Sequence, residues 1–228
     1  MHIVDIDVHK IALMALKGYR EWTESLGPRR EHIIQKTQAR LHEALWRGFT
    51  SIGALPHHFR YDYLIALTNN IDAELVHRAV DKIRRISPVE VELCEGTGGT
   101  PMEAFKNCGH GNSTNSGVAV VGHMDVVNST NTTRSNGPLY VYRHIQDLLN
   151  QAGDFCKDLG CMVFYLGGDN AMLFLPTPKA AYELYNYLNT NLRIGVGAAK
   201  RPYNAFVKAT RGLDALRHKG VAGVRLVK

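Results

Sequence analysis

The chain has 228 residues, 45% of them apolar and only 8 prolines, which excludes a disordered or collagen-like chain and allows one large domain or two of about 110 residues each. Twenty-seven basic against 21 acidic residues give a formal charge of +6, which suits an anionic ligand but does not choose between a nucleotide and a nucleic acid. No apolar run approaches the roughly 18 residues that span a bilayer, and the N-terminus lacks a signal peptide's basic flank, so no membrane partner and a cytoplasmic location are expected.

In chain order, Asp5 and Asp7 form a DxD in what reads as an extension, and Ile11 to Leu16 is an apolar strand. A loop, Lys17 to Pro28, leads to an amphipathic stretch from Arg29 to Trp46, with Ile33, Ile34, Leu41, Ala44 and Leu45 at helical spacing. A short strand is expected over Ser51 to Leu55, then a hairpin with Asp62 at its tip. Ile71 to Ile86 reads as a helix with basic residues at its end, Val89 to Leu93 as a strand, and Thr100-Pro101 opens a short helix. Asn107 to Gly117 has the Gly/Ser/Asn/Thr composition of a linker.

The order then repeats: strand Val118 to Met124, polar loop Asn128 to Gly137, helix Pro138 to Leu159, a Gly167-Gly168-Asp169-Asn170 hairpin, helix Thr177 to Leu192, strand Arg193 to Val196, helix Pro202 to Arg217 and a terminal strand Gly223 to Val227. Lys17 precedes Asp62 by 45 residues and Asp125 precedes Asp169 by 44. The predicted fold class is therefore α+β: two tandem ferredoxin-like βαββαβ units with antiparallel sheets, over residues 1–108 and 118–228, joined by a linker at 109–117.

In this topology the first strand neighbours the central hairpin, which places Asp125 beside Asp169. Two adjacent carboxylates gain by sharing a hard cation, so the pair is expected to ligate Mg²⁺ and to be catalytic, with a metal-triphosphate as ligand. Gly167-Gly168 allow a sharp turn, and the loop from Asn128 to the helix start at Pro138 is the expected phosphate cradle. Asn170, which follows the tip acid, and Asn128 are expected to bind substrate. In the first unit Lys17 stands where Asp125 stands in the second, so Asp62 is expected to face a lysine and to contact nucleotide, with Arg60, and not metal. Arg29 and Arg30 are further candidate anion contacts, equally accounted for as a solvated basic turn, and Lys200, Arg201 and Arg217 are weaker phosphate candidates that helix capping alone would explain.

Cys94, Cys108, Cys156 and Cys161 form no CxxC pair, so free thiols are expected. His57-His58 has no partner at ligand spacing and reads as a surface pair. Gly195-Val196-Gly197 is too short for a dinucleotide fingerprint.

The paired units with an acid-ended strand and a GGD hairpin resemble the nucleotidyl cyclase, GGDEF and polymerase-palm group. Asn170 after the GGD, the tandem arrangement and Pro28-Arg29-Arg30-Glu31 resemble archaeal GTP cyclohydrolase III most, a likeness that also takes in Tyr19, Trp22-Thr23, Leu64-Ile65-Ala66, Thr68-Asn69 and Gly212-Leu213. The resemblance implies a hydrolase that opens the imidazole ring of GTP, keeps the formyl group, and releases two phosphates to leave a formylaminopyrimidine nucleotide for riboflavin and deazaflavin synthesis. It also implies Mg²⁺ and a monovalent cation such as K⁺. One departure is Lys17-Gly18, where the family pattern has Asp-Asn, which implies a metal site lost from the first unit.

Two other readings compete with this one. A nucleotidyl or diguanylate cyclase is opposed by Asn170 in place of the Glu of GGDEF. A non-catalytic nucleotide- or RNA-binding module is opposed by Tyr61/Tyr63 and Phe164/Tyr165, which do not make one stacking face, so no nucleic acid is expected. Edge strands on two small sheets make a homo-oligomer the expected state.

Overall fold

The computed structural model describes residues 8–109 and 116–227; Asp5, Asp7 and most of the linker lie outside them. The first unit runs β1 (His9–Lys17), α1 (Tyr19–Ser25), α2 (Glu31–Thr50), β2 (Leu55–Arg60), β3 (Tyr63–Leu67), α3 (Ala73–Arg84), β4 (Glu90–Gly98) and α4 (Pro101–Lys106). The second runs β5 (Ala119–Val126), α5 (Ser129–Asn136), α6 (Pro138–Leu159), β6 (Met162–Gly167), β7 (Asn170–Leu175), α7 (Pro178–Leu188), β8 (Leu192–Ala199), α8 (Pro202–Lys219) and β9 (Gly223–Val227). The sheets are ordered β2-β3-β1-β4 and β6-β7-β5-β8-β9, antiparallel throughout except for the parallel pair β8–β9. This is the expected pair of ferredoxin-like units, with one added edge strand.

The central strands are apolar on both faces because both faces are covered. Ala12, Met14 and Leu16 point into a core with α2 and α3, and Val120, Met124 and Val126 into a core with α6 and α7. The opposite faces meet: Ile11, Ile65 and Leu67 of one sheet share a third core with Ala119, Val121, Met172 and Phe174 of the other, with Ala104 of α4 and Ala205 of α8. The elements β1 to α4 and β5 to β9 thus repeat one arrangement and meet on a common core. The contacts across it are reciprocal. The Tyr203 amide at the start of α8 donates to the carbonyl of Gly53 (2.9 Å), and the Met102 amide at the start of α4 donates to that of Gly160 (3.1 Å).

Several boundaries differ from expectation for local reasons. Lys17 to Pro28 and Asn128 to Gly137 are not loops but carry α1 and α5, each launched from a left-handed residue, Gly18 (φ 74°) and Asn128 (φ 63°). Helix α5 is Ser/Thr/Asn-rich and lacks propensity, yet Thr132, Thr133 and Ser135 turn their hydroxyls back onto the carbonyls of Asn128, Ser129 and Asn131. Ser51 to Ala54 is a turn, with the Ile52 and Ala54 amides both on the Phe49 carbonyl, so the strand begins at Leu55. Asn189, left-handed at φ 42°, ends α7 at Leu188, and β8 begins four residues later at Leu192.

The cysteines are not free. Cys94–Cys108 ties β4 to the turn after α4, and Cys156–Cys161 ties the last turn of α6 to the start of β6. Chain reversals place the Cα atoms 5.6 and 4.6 Å apart, a closeness that spacing along the chain does not reveal. Gly195 and Gly197 serve packing: a Cβ on either would run into main-chain carbonyls of α8, at Ala209 and Ala205. Among the described residues no helix is long and apolar enough to cross a membrane.

Candidate active site

The hairpin between β6 and β7 turns through Gly167 (φ 105°) and Gly168 (φ 61°), values that glycine adopts without strain. It delivers Asp169 and Asn170 to the end of β5, where Asp125 stands. Asp169 faces α5: the Ser129 hydroxyl donates to its Oδ2, and the Asn170 amide donates to its Oδ1 (3.2 Å). Beside it opens a cavity of about 310 Å³ between α5, α6 and β6. Ser129, Thr130, Gly168 and Asp169 form its polar end, and Val141, Ile145, Tyr142 and Tyr165 its apolar and aromatic end. The Tyr165 hydroxyl donates to the Gly168 carbonyl (3.0 Å), which steadies the turn from the cavity side.

Asp125 lies on the other side of the hairpin, 1% exposed. Arg193 Nε donates to its Oδ1 (2.8 Å) and Arg217 Nε to its Oδ2 (2.7 Å). Arg217 also donates to Asn170 Oδ1 (3.0 Å) and to Asp214 (3.3 Å), so one guanidinium joins β5, the hairpin and α8. Burial opposes the Arg217 charge, but the hydrogen bond and charge of Asp125 outweigh it and hold its pKa above the ordinary arginine value. His123, two residues before Asp125 and on the same face of β5, shares a hydrogen bond with Thr210 Oγ1 (3.0 Å). Thr210 gives its own proton to the Phe206 carbonyl, so His123 Nδ1 is the donor. Burial, reinforced by the Arg217 charge, holds its pKa below the ordinary histidine value.

The sequence-predicted residues separate accordingly. Asp169, Asn170, Asp125 and Arg217 form one connected network, and Asn128 adjoins it as the residue that launches α5, its Oδ1 accepting from Asn131 (2.6 Å). The sharing of one cation by Asp125 and Asp169 is corrected in its physical basis, since two guanidinium groups balance the Asp125 charge. Lys200 and Arg201 are not part of this network. They follow Ala199, about 20 Å along β8 from Arg193 at 3.3 Å per residue, where the Lys200 carbonyl accepts from Asn70 and Arg201 packs on Gly53.

The first-unit candidates are also revised. Lys17 does not stand where Asp125 does, because the strand register sets Ala15 at that position; Lys17 does not face Asp62 but pairs with Glu92 (2.8 Å), while Arg60 holds Asp62 through two hydrogen bonds of 3.0 and 2.5 Å, so each of these charges already has a partner. Arg29 is exposed and Arg30 lies 3.9 Å from Glu31, before α2. Sequence reasoning passed over Ser129, Tyr142, Tyr165, Arg193 and His123. Arg193 was accessible to it, because strand pairing sets Arg193 opposite Asp125; the cavity walls depended on α5 being a helix.

Among the described residues no three His, Cys, Asp or Glu side chains are grouped to hold a metal ion. Mg²⁺, however, is commonly held by one or two carboxylates, with water and substrate phosphates completing its shell. Asp169 with the Ser129 hydroxyl, at the polar end of an open cavity, fits a cation that arrives with a triphosphate.

Comparison with known proteins places this geometry in context. A family model described as GTP cyclohydrolase III matches residues 11–114 and 108–228. A Pyrobaculum aerophilum protein of that name is 61% identical over 221 residues, covering 97% of this chain and 100% of the relative. One from Sulfurisphaera tokodaii is 30% identical, covering 91% and 93%. Among solved structures, an EAL/GGDEF domain protein from M. capsulatus matches 49% of this chain and 85% of its own at 14% identity and a TM-score of 0.43, too remote to bear on chemistry.

Proposed function

The chain belongs to the GTP cyclohydrolase III family, and from that premise we propose that it hydrolyses GTP with Mg²⁺ at the cavity beside Asp169, releasing two phosphates and a formylaminopyrimidine nucleotide. The observation that carries the reading is the match to relatives of that name over nearly the whole chain, in both units. The cavity is consistent with it. Its aromatic end, Tyr142 and Tyr165 over Val141 and Ile145, suits a purine, and its polar end lies at the N-terminus of α5, where main-chain N–H groups favour phosphate.

In this reading Asp169 and Ser129 hold the cation on the protein side. Bound there, Mg²⁺ supplies charge to polarise phosphoryl oxygens and lower the pKa of a water. Asp125 acts by fixing Arg193 and Arg217; Arg217 is 37% exposed at its side chain, and its guanidinium is aimed by Asp125 and Asn170 toward the hairpin where phosphate charge collects. We assign the protein to the cytoplasm and to a homo-oligomer, the latter checked by light scattering.

The test is incubation of the purified chain with GTP and Mg²⁺, with and without K⁺. Phosphate release together with a change in the purine absorbance is expected. Pyrophosphate release with the absorbance retained would point to a cyclase instead, and neither product would sink the reading. Asp169→Asn in a chain that still folds should lower turnover by at least about 100-fold, the scale for losing a group that stabilises transition-state charge, and chelation of the metal should abolish it reversibly.

A further inference from the structure

The first unit contains a histidine cluster that the chemistry at Asp169 leaves unused. His42 of α2 and His58 of β2 point their Nδ1 atoms at each other, 3.3 Å apart, with the rings nearly perpendicular at 77°. His57, expected at the surface, is instead buried, and stacks on one face of His58 with centroids 4.5 Å apart. Tyr61 stacks on the other face at 4.3 Å. The His58 ring is therefore clamped between two others, and His57 Nδ1 donates to the main-chain carbonyl of His58 (2.8 Å), which locks the clamp.

We propose that His42 and His58 form the protein side of a binding site for a borderline transition-metal cation, Zn²⁺, Ni²⁺ or Cu²⁺, separate from the Mg²⁺ chemistry at Asp169. Two imidazole nitrogens on one tetrahedral metal, each about 2.0–2.1 Å from it, stand about 3.3–3.4 Å apart, and the two Nδ1 atoms are already at that separation. As a hydrogen bond alone the contact uses one proton between two nitrogens; as a chelate it uses both lone pairs. Trp46 lies beside the His42 ring, Tyr61 on the His58 ring and Phe164 behind His57, which sets the nitrogen donors in an aromatic frame and selects against hard oxygen-seeking cations.

Clamping matters because a ligand already held in place loses little freedom on binding. Both rings are half-buried, which leaves the remaining coordination positions to water or an exogenous ligand.

The experiment is calorimetric titration of chelator-stripped full-length protein with Ni²⁺ or Zn²⁺ in excess Mg²⁺. One equivalent is expected to bind, with affinity reduced by at least about tenfold in His58→Phe, which keeps the stack, and in His42→Leu. Equal stoichiometry and affinity in the variants, or no binding by the parent chain, overturns the proposal. Should either variant fail to fold, the parent chain decides: on adding Ni²⁺ the imidazole NMR signals of His42 and His58 are expected to broaden first, and earlier broadening of other histidines overturns it.

Discussion

The two units carry different ion pairs near the same end of the same strand. In the first, the central strand ends in Lys17, in an ion pair with Glu92, and the uncharged Ala15 stands at the register of Asp125; in the second Asp125, one residue before the strand's end at Val126, lies opposite Arg193. The difference is accompanied by a change of environment. Lys17 and Glu92 have side chains 54% and 52% exposed, whereas Asp125 is at 2% and Arg193 at 13%. A pair in water needs one partner and gains little, but a buried carboxylate needs both oxygens satisfied, hence the second arginine, Arg217.

The adjoining space differs in the same sense. Ser129, first residue of α5, is small and opens the cavity, while Tyr19, first residue of α1, accepts a hydrogen bond from Gln38 (3.0 Å) and packs on Trp22. Gln38 and Ile145 are each the eighth residue of their long helix, α2 and α6. One copy keeps room for a ligand, and the other fills the equivalent positions with its own side chains.

The largest effect that could break this contrast is on stability. Asp125→Ala leaves the buried Arg193 guanidinium without its counter-charge and Arg217 with Asp214 alone, and should cost about 3–5 kcal/mol. Lys17→Ala removes an exposed pair and should cost less than about 1 kcal/mol. Denaturant melts of both variants read the difference directly. Equal losses would mean that the two strand ends are energetically alike and that burial is not what distinguishes them.

How much of this was legible in the sequence follows from which interactions are local. The strand order, the GGDN turn and helix α6 came from periodicity and glycine chemistry, which act over a few residues. The Asp125 network was half visible: the acid and Arg217 could be named, but the pairing required knowing that α8 packs back on β8, a contact made through Gly195 and Gly197. Helix α5 was hidden because Ser, Thr and Asn disfavour helices, and its stabilising bonds are side-chain contacts to its own backbone. The disulfides were hidden because a thiol and half a disulfide are the same letter.

Those disulfides offer the next comparison. Cys94–Cys108 closes a loop with a separation of 14 residues and Cys156–Cys161 one of 5. If chain entropy governs, removing the first by Cys94→Ser should cost about 3 kcal/mol and the second by Cys156→Ser about 2 kcal/mol. Thermal melts under oxidising and reducing conditions test both, and a reversed order would show that local packing, not loop length, sets their contributions.

A pH titration probes the first unit's histidine cluster, to which His123 of the second unit adds a contribution of the same sign. His42, His57 and His58 all have pKa values lowered chiefly by burial, His58 to about 4. The folded chain therefore binds fewer protons than the unfolded chain between the ordinary histidine value near 6.5 and about 4. Their contribution is fully present above that window and is lost as pH falls through it. The melting temperature should drop over that range, and His58→Phe should flatten the drop; an unchanged slope would remove the cluster as its source.

The smallest expected effect tests the contrast most directly at the two hairpin tips. Asp62 and Asp169 are counterparts, but Arg60 already holds Asp62 with two hydrogen bonds, whereas the partners of Asp169 are a hydroxyl and an amide, which leave its charge uncompensated. The Arg60 side chain is 73% exposed, and the pair is worth about 0–1 kcal/mol at most. Asp62→Asn should therefore leave stability nearly unchanged and GTP turnover within about twofold, an effect of under 1 kcal/mol on the barrier. Steady-state kinetics beside Asp169→Asn read this directly. If both substitutions lower turnover alike, the first unit supplies a carboxylate to the chemistry, and the Arg60 pair must open for substrate to bind.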